Sequence, residues 1–558
     1  MEKTDYGTTW QEVLEKRTGR TIQQLMSEYH CDIPEMLDVK QIVLSHIKNG
    51  SHITIVGDYD VDGIFATAIL FMTFRKAGAD VSYRIPKRFS EGYGLSSKII
   101  DEIRDGLIVT VDNGITAVEQ IDLAIEKGLD VVVIDHHLAR EDGKIPNAKI
   151  VIDPHVTTHC DFKDFCGAGL AYRLAEVFYP DEESFLNCMS SLAAIATVAD
   201  VMPLLDDNRT IVKKGLDVMI NKPTLPALRA ILLEFGLHKC SSENVAYKIA
   251  PLINAPGRML DNGGSLVVDY ILTPSFALAK KRLGYLVTLN EERKLATENG
   301  TAIATQIIKD GCMYGDSVLT LYSPDFFEGV VGIIAGRIAE SMGRPCICMT
   351  DSVTEPGTIK GSARSVDGIN IKQILDQNKR FLRGYGGHAM AAGLSVDSLD
   401  NLSAFSIACC ESATLSQKSN NLKYDLEVTL EQVPSLIEEL ERMEPYGEGC
   451  PKPLFKLDIH SLPVVASTSY YQKMNGDGLK FLCKCGVSAL MFRQTKEYEE
   501  SGAPRDMTVV GTISNNYFYS GGKTTVTPQI MIEGFEKLVV EPKMTPLAKL
   551  LADKAKRR

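Results

Sequence analysis

A chain of 558 residues with a formal charge of −12 is too long for one hydrophobic core and fits roughly three or four ordinary domains. The negative balance excludes a polyanion-binding surface spread over the whole chain, so any nucleic-acid contact must be local, although divalent cations held by clustered carboxylates would offset part of the charge. No apolar run approaches the roughly 18 residues needed to span a membrane, Met1 to Tyr6 lacks the apolar core of a signal peptide, and 13 dispersed cysteines without a Cys-x-x-Cys pair fit a reduced, cytoplasmic setting.

Residues 1–50 read as a helical leader carrying the only tryptophan, Trp10. Apolar runs then alternate with helical patterns: a strand from Ile53 to Val56, a helix from Ile64 to Lys76, a strand near Val81, a helix near Ser97, a strand ending at Val111, a helix from Thr116 to Lys127, a strand ending at Ile134 and a short strand from Lys149 to Ile152. This alternation predicts an α/β fold with a doubly wound, mainly parallel sheet, whose ligands bind beyond the carboxyl ends of the strands. Residues 167–310 are helix-rich, so 51–274 form one α/β domain with a helical part, and the nearly proline-free run Ser275 to Asp310 predicts a long connecting helix. A second α/β domain is expected over 311–398, a connecting segment over 399–449, a small β-barrel over 450–540 and a basic helical tail over 541–558.

Three of the predicted strands end in potential metal ligands. The first runs into Gly57-Asp58-Tyr59-Asp60-Val61-Asp62-Gly63, the second into Asp112-Asn113-Gly114 and the third into Asp135-His136-His137. A lone Asp-x-Asp is more often a solvated acidic loop, and Asp112 before Asn-Gly would alone be an ordinary turn. Their coincidence at three strand ends reverses that reading. Asp58, Asp60 and Asp62 recur at period two, which in extended chain turns all three to one face, and the glycines at 57 and 63 let the strand end and turn. Like charges this close call for hard divalent cations. A carboxylate central to the sheet edge can bridge two ions about 3.5–4 Å apart, the geometry of two-metal phosphoester hydrolysis. His136 and His137 cannot easily both reach one ion from the same strand face, so one is expected as a ligand and the other against substrate. Mixed oxygen and nitrogen ligands favour manganese or magnesium.

Together with Ile85-Pro86-Lys87-Arg88, Glu91-Gly92-Tyr93-Gly94-Leu95, Asn254-Ala255-Pro256-Gly257-Arg258, Leu289-Asn290 with Arg293-Lys294, Glu328 to Ile333, Gly361-Ser362-Ala363-Arg364-Ser365 and Gly386-Gly387-His388 running on to Gly393, these motifs resemble the DHH phosphoesterase superfamily with its associated DHHA1 domain. Within it the chain is similar to the bacterial single-stranded-DNA exonuclease branch, over roughly residues 35–540. The resemblance implies two Mn²⁺ or Mg²⁺ ions held by Asp58, Asp60, Asp62, Asp112, His136 and Asp200, with Asp135 orienting a ligand and His137 contacting the scissile phosphate. Asp200 comes from the resemblance alone, since an aspartate near a helix end is ordinarily a cap. Many relatives outside that branch have a histidine four residues before the position of Asp60; here Val56 stands there and Asp58 is expected to replace it.

Further implied are a 5′-phosphate site at Arg88, Arg258, Ser362 and Arg364, and His388 facing the same cleft. Arginine suits that task because its planar fork matches two phosphate oxygens. The carboxyl-terminal part resembles an OB-fold entered through Glu444 to Gly449, in which Tyr470, Tyr471, Phe492, Tyr517, Phe518 and Tyr519 are candidate base-stacking groups, about half of them expected in the core instead. The implied activity is 5′-to-3′ exonucleolytic hydrolysis of single-stranded DNA to 5′-mononucleotides, in repair and recombination. Single-stranded DNA is the implied partner, with a RecQ-type helicase and a single-strand-binding protein. The alternatives are a DHH phosphodiesterase acting on short oligonucleotides or cyclic dinucleotides, and a non-catalytic replication scaffold.

Overall fold

The computed structural model describes all residues except 158, 223, 414–421, 465–468, 475–476, 521–522 and 538–558, and the chain divides into two units. One comprises Ser27–Ser419 with Pro445–Gly449; the other comprises Met1–Met26, Asn420–Glu444 and Cys450–Arg558. The expected basic tail, 541–558, lies outside the described residues. No described helix is long and apolar enough to cross a membrane.

The first unit is organised by a five-stranded parallel sheet in the order Val81–Arg84, Ile53–Val56, Leu107–Val111, Asp130–Ile134, Ile150–Ile152. Strands Ile53–Val56 and Leu107–Val111 are buried throughout, as expected for β-branched runs covered on both faces. The register pairs Val56 with Thr110, Val111 with Ile134 and Ile134 with Ile152, which sets the carboxyl ends of these strands level.

Helix Val61–Lys76 starts three residues earlier than its apolar pattern predicts, because Asp60 caps it by accepting from the N–H groups of Asp62 and Gly63. The buried Phe65, Ile69 and Phe74 fix it on the sheet. Helices Gly167–Phe178, Glu183–Ala199 and Asp206–Asn221 complete this core.

Helix Phe276–Asp310 has 35 residues and so extends about 50 Å. Ser275 Oγ accepts from Leu278 N–H at its start. Its amino-terminal half buries Ala279, Leu283 and Leu286 in the first core, and its far end buries Ala304 and Ile308 in a second. There a five-stranded sheet runs Gly384–Gly387, Ala391–Val396, Ile359–Arg364, Cys346–Asp351, Leu319–Tyr322, with only the last two strands parallel.

The segment 399–449, expected to be a connector, is built into both units. Helix Leu402–Ser412 buries Phe405 and Cys409 against the second sheet. Leu426–Glu427 and helix Val433–Glu441 belong to the smaller unit, while Arg209 donates to the Pro445 carbonyl and Leu204 N–H to that of Glu448 in the larger one. The expected leader is likewise divided: Glu2–Lys3 pairs with Lys423–Tyr424 in the smaller unit, whereas helix Met36–Lys48 packs in the larger.

The smaller unit is a seven-stranded sheet in the order Leu426–Glu427, Phe455–His460, Asp506–Ser520, Lys523–Lys537, Ser488–Phe492, Gly478–Leu482, Gln472–Met474. Trp10 sits within it and donates its indole N–H to Glu439 at 2.8 Å.

Phe65 is fully buried between the parallel sheet and the helical layer. Phe65→Ala should therefore lower the stability of the larger unit by about 3–5 kcal/mol, read as a shifted urea midpoint with an unchanged slope.

Candidate metal centre and adjoining cationic cavity

The sheet ladder continues one residue past the strands. Asp112 N–H donates to the Ile134 carbonyl at 3.0 Å and Asp135 N–H to that of Ile152 at 2.8 Å, so both aspartates are placed by the sheet itself. Asp112 adopts φ 59°, a left-handed conformation that costs a non-glycine residue energy and recurs at functional sites. Asn113 secures the turn by donating from its amide to the carbonyls of Val56 and Val111 at 3.0 and 2.9 Å. Asp135 accepts from Ile115 N–H at 2.9 Å, His136 N–H at 2.8 Å and His137 Nδ1 at 2.8 Å. Burial would raise the Asp135 carboxyl, but His137 and the Ile115 N–H hold it below its ordinary value. Burial likewise opposes a charge on His137, yet Asp135 pushes that imidazole up to about 9.

Asp58, Asp60 and Asp62 do not share one face of an extended strand, as their period predicts, because the chain turns helical at Val61. Asp60 is the cap, and Asp62, in the first turn, accepts from Gly167 N–H at 2.6 Å and Ala168 N–H at 2.7 Å. Two helix amino termini therefore meet the acidic cluster, each presenting free N–H groups and a positive dipole end. The glycines serve close approach rather than left-handed turning. A Cβ on Gly63 would lie 2.7 Å from Asp58 Cα, one on Gly57 1.9 Å from Thr67 Oγ1, and one on Gly167 2.7 Å from Asp112 Cβ.

His136 Nε2 lies 3.0 Å from Asp112, 3.6 Å from Asp62 and 3.7 Å from Asp200. Asp200 follows the last residue of helix Glu183–Ala199, before Val201 at φ 58°. Three sets of potential ligands arise, each with its atoms within 4.8 Å of one another: Asp112, His136 and His137; Asp62, His136 and Asp200; Asp58, Asp60 and Asp112.

Burial, and then the neighbouring carboxylates, raise Asp58 and Asp112 far above the usual range, raise Asp60, and push Asp200 up to about 8. Asp58 Oδ1 and Asp200 Oδ2 are buried with no hydrogen-bond partner among the described residues. Unpartnered buried oxygens beside an imidazole fit hard or borderline divalent cations such as Mg²⁺ and Mn²⁺.

Tyr59, between two of these aspartates, lines a neighbouring cavity of about 470 Å³ together with Arg88, Arg258, Ser362 and Arg364. The Arg88 guanidinium lies over the Tyr59 ring, 4.8 Å from its centre, and Arg364 Nη1 donates to Ser362 Oγ at 2.7 Å. Burial and the adjacent Arg88, Arg364 and Arg293 bring Arg258 down to about 9. The glycines of Glu328 to Ile333 are required here: a Cβ on Gly329 would lie 1.8 Å from the Arg258 carbonyl oxygen, and one on Gly332 2.8 Å from Arg364 Nη2. His388 is exposed and is not brought into the lining, although Gly386 beside it is.

Among the aromatic candidates of the smaller unit, Tyr471 packs edge-on against the buried Tyr498 and Tyr517 donates to Glu441 at 2.7 Å. Phe492 is exposed and Tyr470 stacks under Arg505. The side chains of Phe518 and Tyr519 lie outside the described residues.

Four residues escape the sequence reading. Tyr93 donates to the Asp112 carbonyl at 2.9 Å and lies 3.4 Å from His137 Nδ1; only its Glu-Gly-Tyr-Gly motif marks it. Asn113 reads as a turn residue. Asp153 follows strand Ile150–Ile152, has a buried oxygen without a partner among the described residues and is pushed up to about 7 by burial; a fourth apolar run ending in aspartate is its signal. Arg293 donates to Asn290 at 2.7 Å on the long helix and bears on Arg258, a pairing that the i, i+3 spacing could have suggested.

Three family models match the chain: the DHH family, N-terminal domain, over residues 52–199, the DHHA1 domain over 315–412 and the RecJ OB domain over 424–534. The single-stranded-DNA-specific exonuclease RecJ of Bacillus subtilis is 33% identical over 63% of this chain and 44% of its own length. That of Thermus thermophilus is 31% identical over 84% of this chain and 67% of its own length. The chain thus spans less than half of the one and about two thirds of the other. The crystal structure of Thermus thermophilus RecJ in complex with Mn²⁺ superposes with a TM-score of 0.77 at 27% identity, covering 97% of this chain and 79% of that one.

With its folded value raised from 3.8 to about 8, protonated Asp200 contributes stability that is complete below the lower value and lost as pH rises through the upper. In chelator, the wild type should therefore lose stability relative to Asp200→Asn between about pH 5 and 8, and excess Mn²⁺ should remove the loss. A difference that stays flat with pH in thermal melts would contradict this placement of Asp200.

Proposed function

We propose, on the premise that this chain belongs to the RecJ family, that it is a metal-dependent exonuclease degrading single-stranded DNA from the 5′ end and releasing 5′-mononucleotides in cytoplasmic DNA repair and recombination. One observation carries the reading: Asp58 and Asp60 belong to the acidic cluster while Tyr59, between them, lines the arginine cavity. Arg88 acts electrostatically on Asp58, and Asp60 on Arg258. A terminal phosphate held by the arginines is thereby kept beside the carboxylates, which couples recognition of the 5′ end to hydrolysis of the next phosphodiester.

Asp58, Asp60, Asp62, Asp112, His136 and Asp200 would hold two divalent ions, Mn²⁺ or Mg²⁺. When bound, these supply the positive charge that lowers the pKa of a water and offsets charge developing on the phosphate. Asp112, common to two of the three ligand sets, would be a ligand suited to such a pair. Asp135 fixes the ring of His137 and keeps it protonated, so His137 presents a cation to the phosphodiester beside the cluster. Tyr93 braces the same ring and the Asp112 backbone.

Arg88, Arg258 and Arg364 bind the 5′-phosphate, Ser362 holds the Arg364 fork in place, and the exposed His388 lies beyond the cavity edge. The OB domain would supply a further binding surface for a long strand, which separates this reading from a phosphodiesterase of short substrates. A RecQ-type helicase and a single-strand-binding protein would supply such strands, a pairing that rests on the family resemblance.

With Mn²⁺, 5′-phosphorylated single strands should release mononucleotides from the 5′ end, 5′-hydroxyl strands should react more slowly, and Asp112→Ala should lose at least about 10³-fold in kcat. Release first from a 3′-terminal label would exclude the proposed polarity. Arg364→Ala should raise KM about 10–100-fold on 5′-phosphorylated strands and narrow their advantage over 5′-hydroxyl strands. An unchanged advantage would remove Arg364 from end recognition.

A further inference from the structure

The cavity is larger than one phosphate requires, since volumes of some 300–1,000 Å³ ordinarily accommodate whole small-molecule ligands. At about 470 Å³ it runs from Arg88, Arg258 and Arg364 along strand Ile359–Arg364 to Lys360 and across to Gly384, Gly386 and Gly393. Lys360, Ser362 and Arg364 alternate along that strand and share one face, a row about 13 Å long. Beyond the row Ser395 pairs with Lys360 on the next strand, and past it glycines form much of the lining. Gly386 and Gly393 pair directly across adjacent strands, and a Cβ on either would meet nothing within 4 Å. Side chains could be accommodated there at no packing cost, but they would fill the far end of the cavity.

Charge follows the same axis. Arg88, Arg258 and Arg364 have no carboxylate partner among the described residues, whereas Lys360 stands between Glu328 and Glu355 at 3.8 and 3.7 Å. Both separations exceed hydrogen-bond length, so the ammonium can turn to an incoming anion without breaking a bond. Glu328, which also lines the cavity, is tied by its other oxygen to Val353 N–H at 2.8 Å. The lining thus carries Arg88, Arg258, Arg364 and Lys360 against Glu328, with Glu355 beside the Lys360 ammonium.

We propose that this cavity accepts strands whose 5′ end carries a triphosphate, the arginines and Ser362 holding the phosphate nearest the sugar and Lys360 with the glycine-lined floor receiving the outer two. The inference rests on the exonuclease reading and adds a substrate class to it. Hydrolysis then proceeds at the same bond as on a monophosphate end. Water adds to phosphorus between the first and second nucleotides, the bond from that phosphorus to the first nucleotide's 3′ oxygen breaks, and that oxygen takes up a proton. The first product is a nucleoside 5′-triphosphate, and the shortened strand retains a 5′-monophosphate.

Two measurements test this. In chelator, a 3′-fluorescent single strand with a 5′-triphosphate should bind about tenfold more tightly than the same strand with a 5′-monophosphate, and Lys360→Ala or Gly393→Val should reduce that ratio towards one. Equal affinities for the two ends in the wild type would overturn the proposal whether or not the enzyme is active. With Mn²⁺, mass spectrometry of the first product should find nucleoside triphosphate. Degradation of the monophosphate strand alone, or release of pyrophosphate before any nucleotide, would overturn the proposal while leaving the exonuclease reading intact. Degradation of neither strand would count against that reading, and the binding ratio would still decide the proposal.

Discussion

Mutual repulsion among carboxylates buried at the level carboxyl ends of one parallel sheet is the constraint around which the larger unit is arranged. Desolvation and proximity both work against charge on Asp58, Asp60, Asp112 and Asp200. The fold nevertheless supplies donors selectively: two helix amino termini for Asp60 and Asp62, and four hydrogen bonds for Asp135. Oxygens on Asp58 and Asp200 receive none among the described residues. What the protein leaves unsatisfied is a place for cations. Such a centre is costly to the metal-free fold, and its members are fixed from different elements: Asp112 and Asp135 by the sheet ladder, Asp60 and Asp62 by a helix start and Asp200 by a helix end.

The glycines around it belong to the same constraint. Gly57, Gly63 and Gly167 allow helices to approach the strand ends closely enough for their N–H groups to reach the carboxylates. Gly329 and Gly332 do the same for the arginine cavity, where backbone and guanidinium nearly touch. Acidic cluster and cationic cavity share the segment Asp58 to Asp60, so the two opposite fields are fixed relative to one another by two peptide bonds rather than by a flexible junction. The long helix Phe276–Asp310, buried at one end in the first core and at the other in the second, serves the same purpose at larger scale.

Much of this was legible in the chain. The apolar runs at Ile53, Leu107 and Val131 read directly as buried parallel strands, because β-branched continuity has few other uses, and the uninterrupted run after Ser275 read as one helix. The residues of the acidic cluster and of the arginine cavity were named through motif resemblance. Their conformations were not legible. Period two at Asp58, Asp60 and Asp62 suggests an extended strand, but capping by Asp60 is a local hydrogen-bond competition that alternation cannot register. Segment 399–449 looked like a connector because its short elements pair with partners far away in sequence.

Sequence alone therefore determined the chemistry available to this protein: acidic and imidazole groups at strand ends, arginines in glycine-rich motifs, and the α/β periodicity that carries them. These are properties of residue type and local spacing. Only the tertiary structure decided which carboxylates stay satisfied and which do not, that His136 stands among three aspartates while His137 is tied to Asp135, that His388 lies outside the cavity, and that the cavity extends past its arginines to Lys360. Those outcomes depend on distances between segments separated by tens to hundreds of residues, which packing sets and local pattern does not encode.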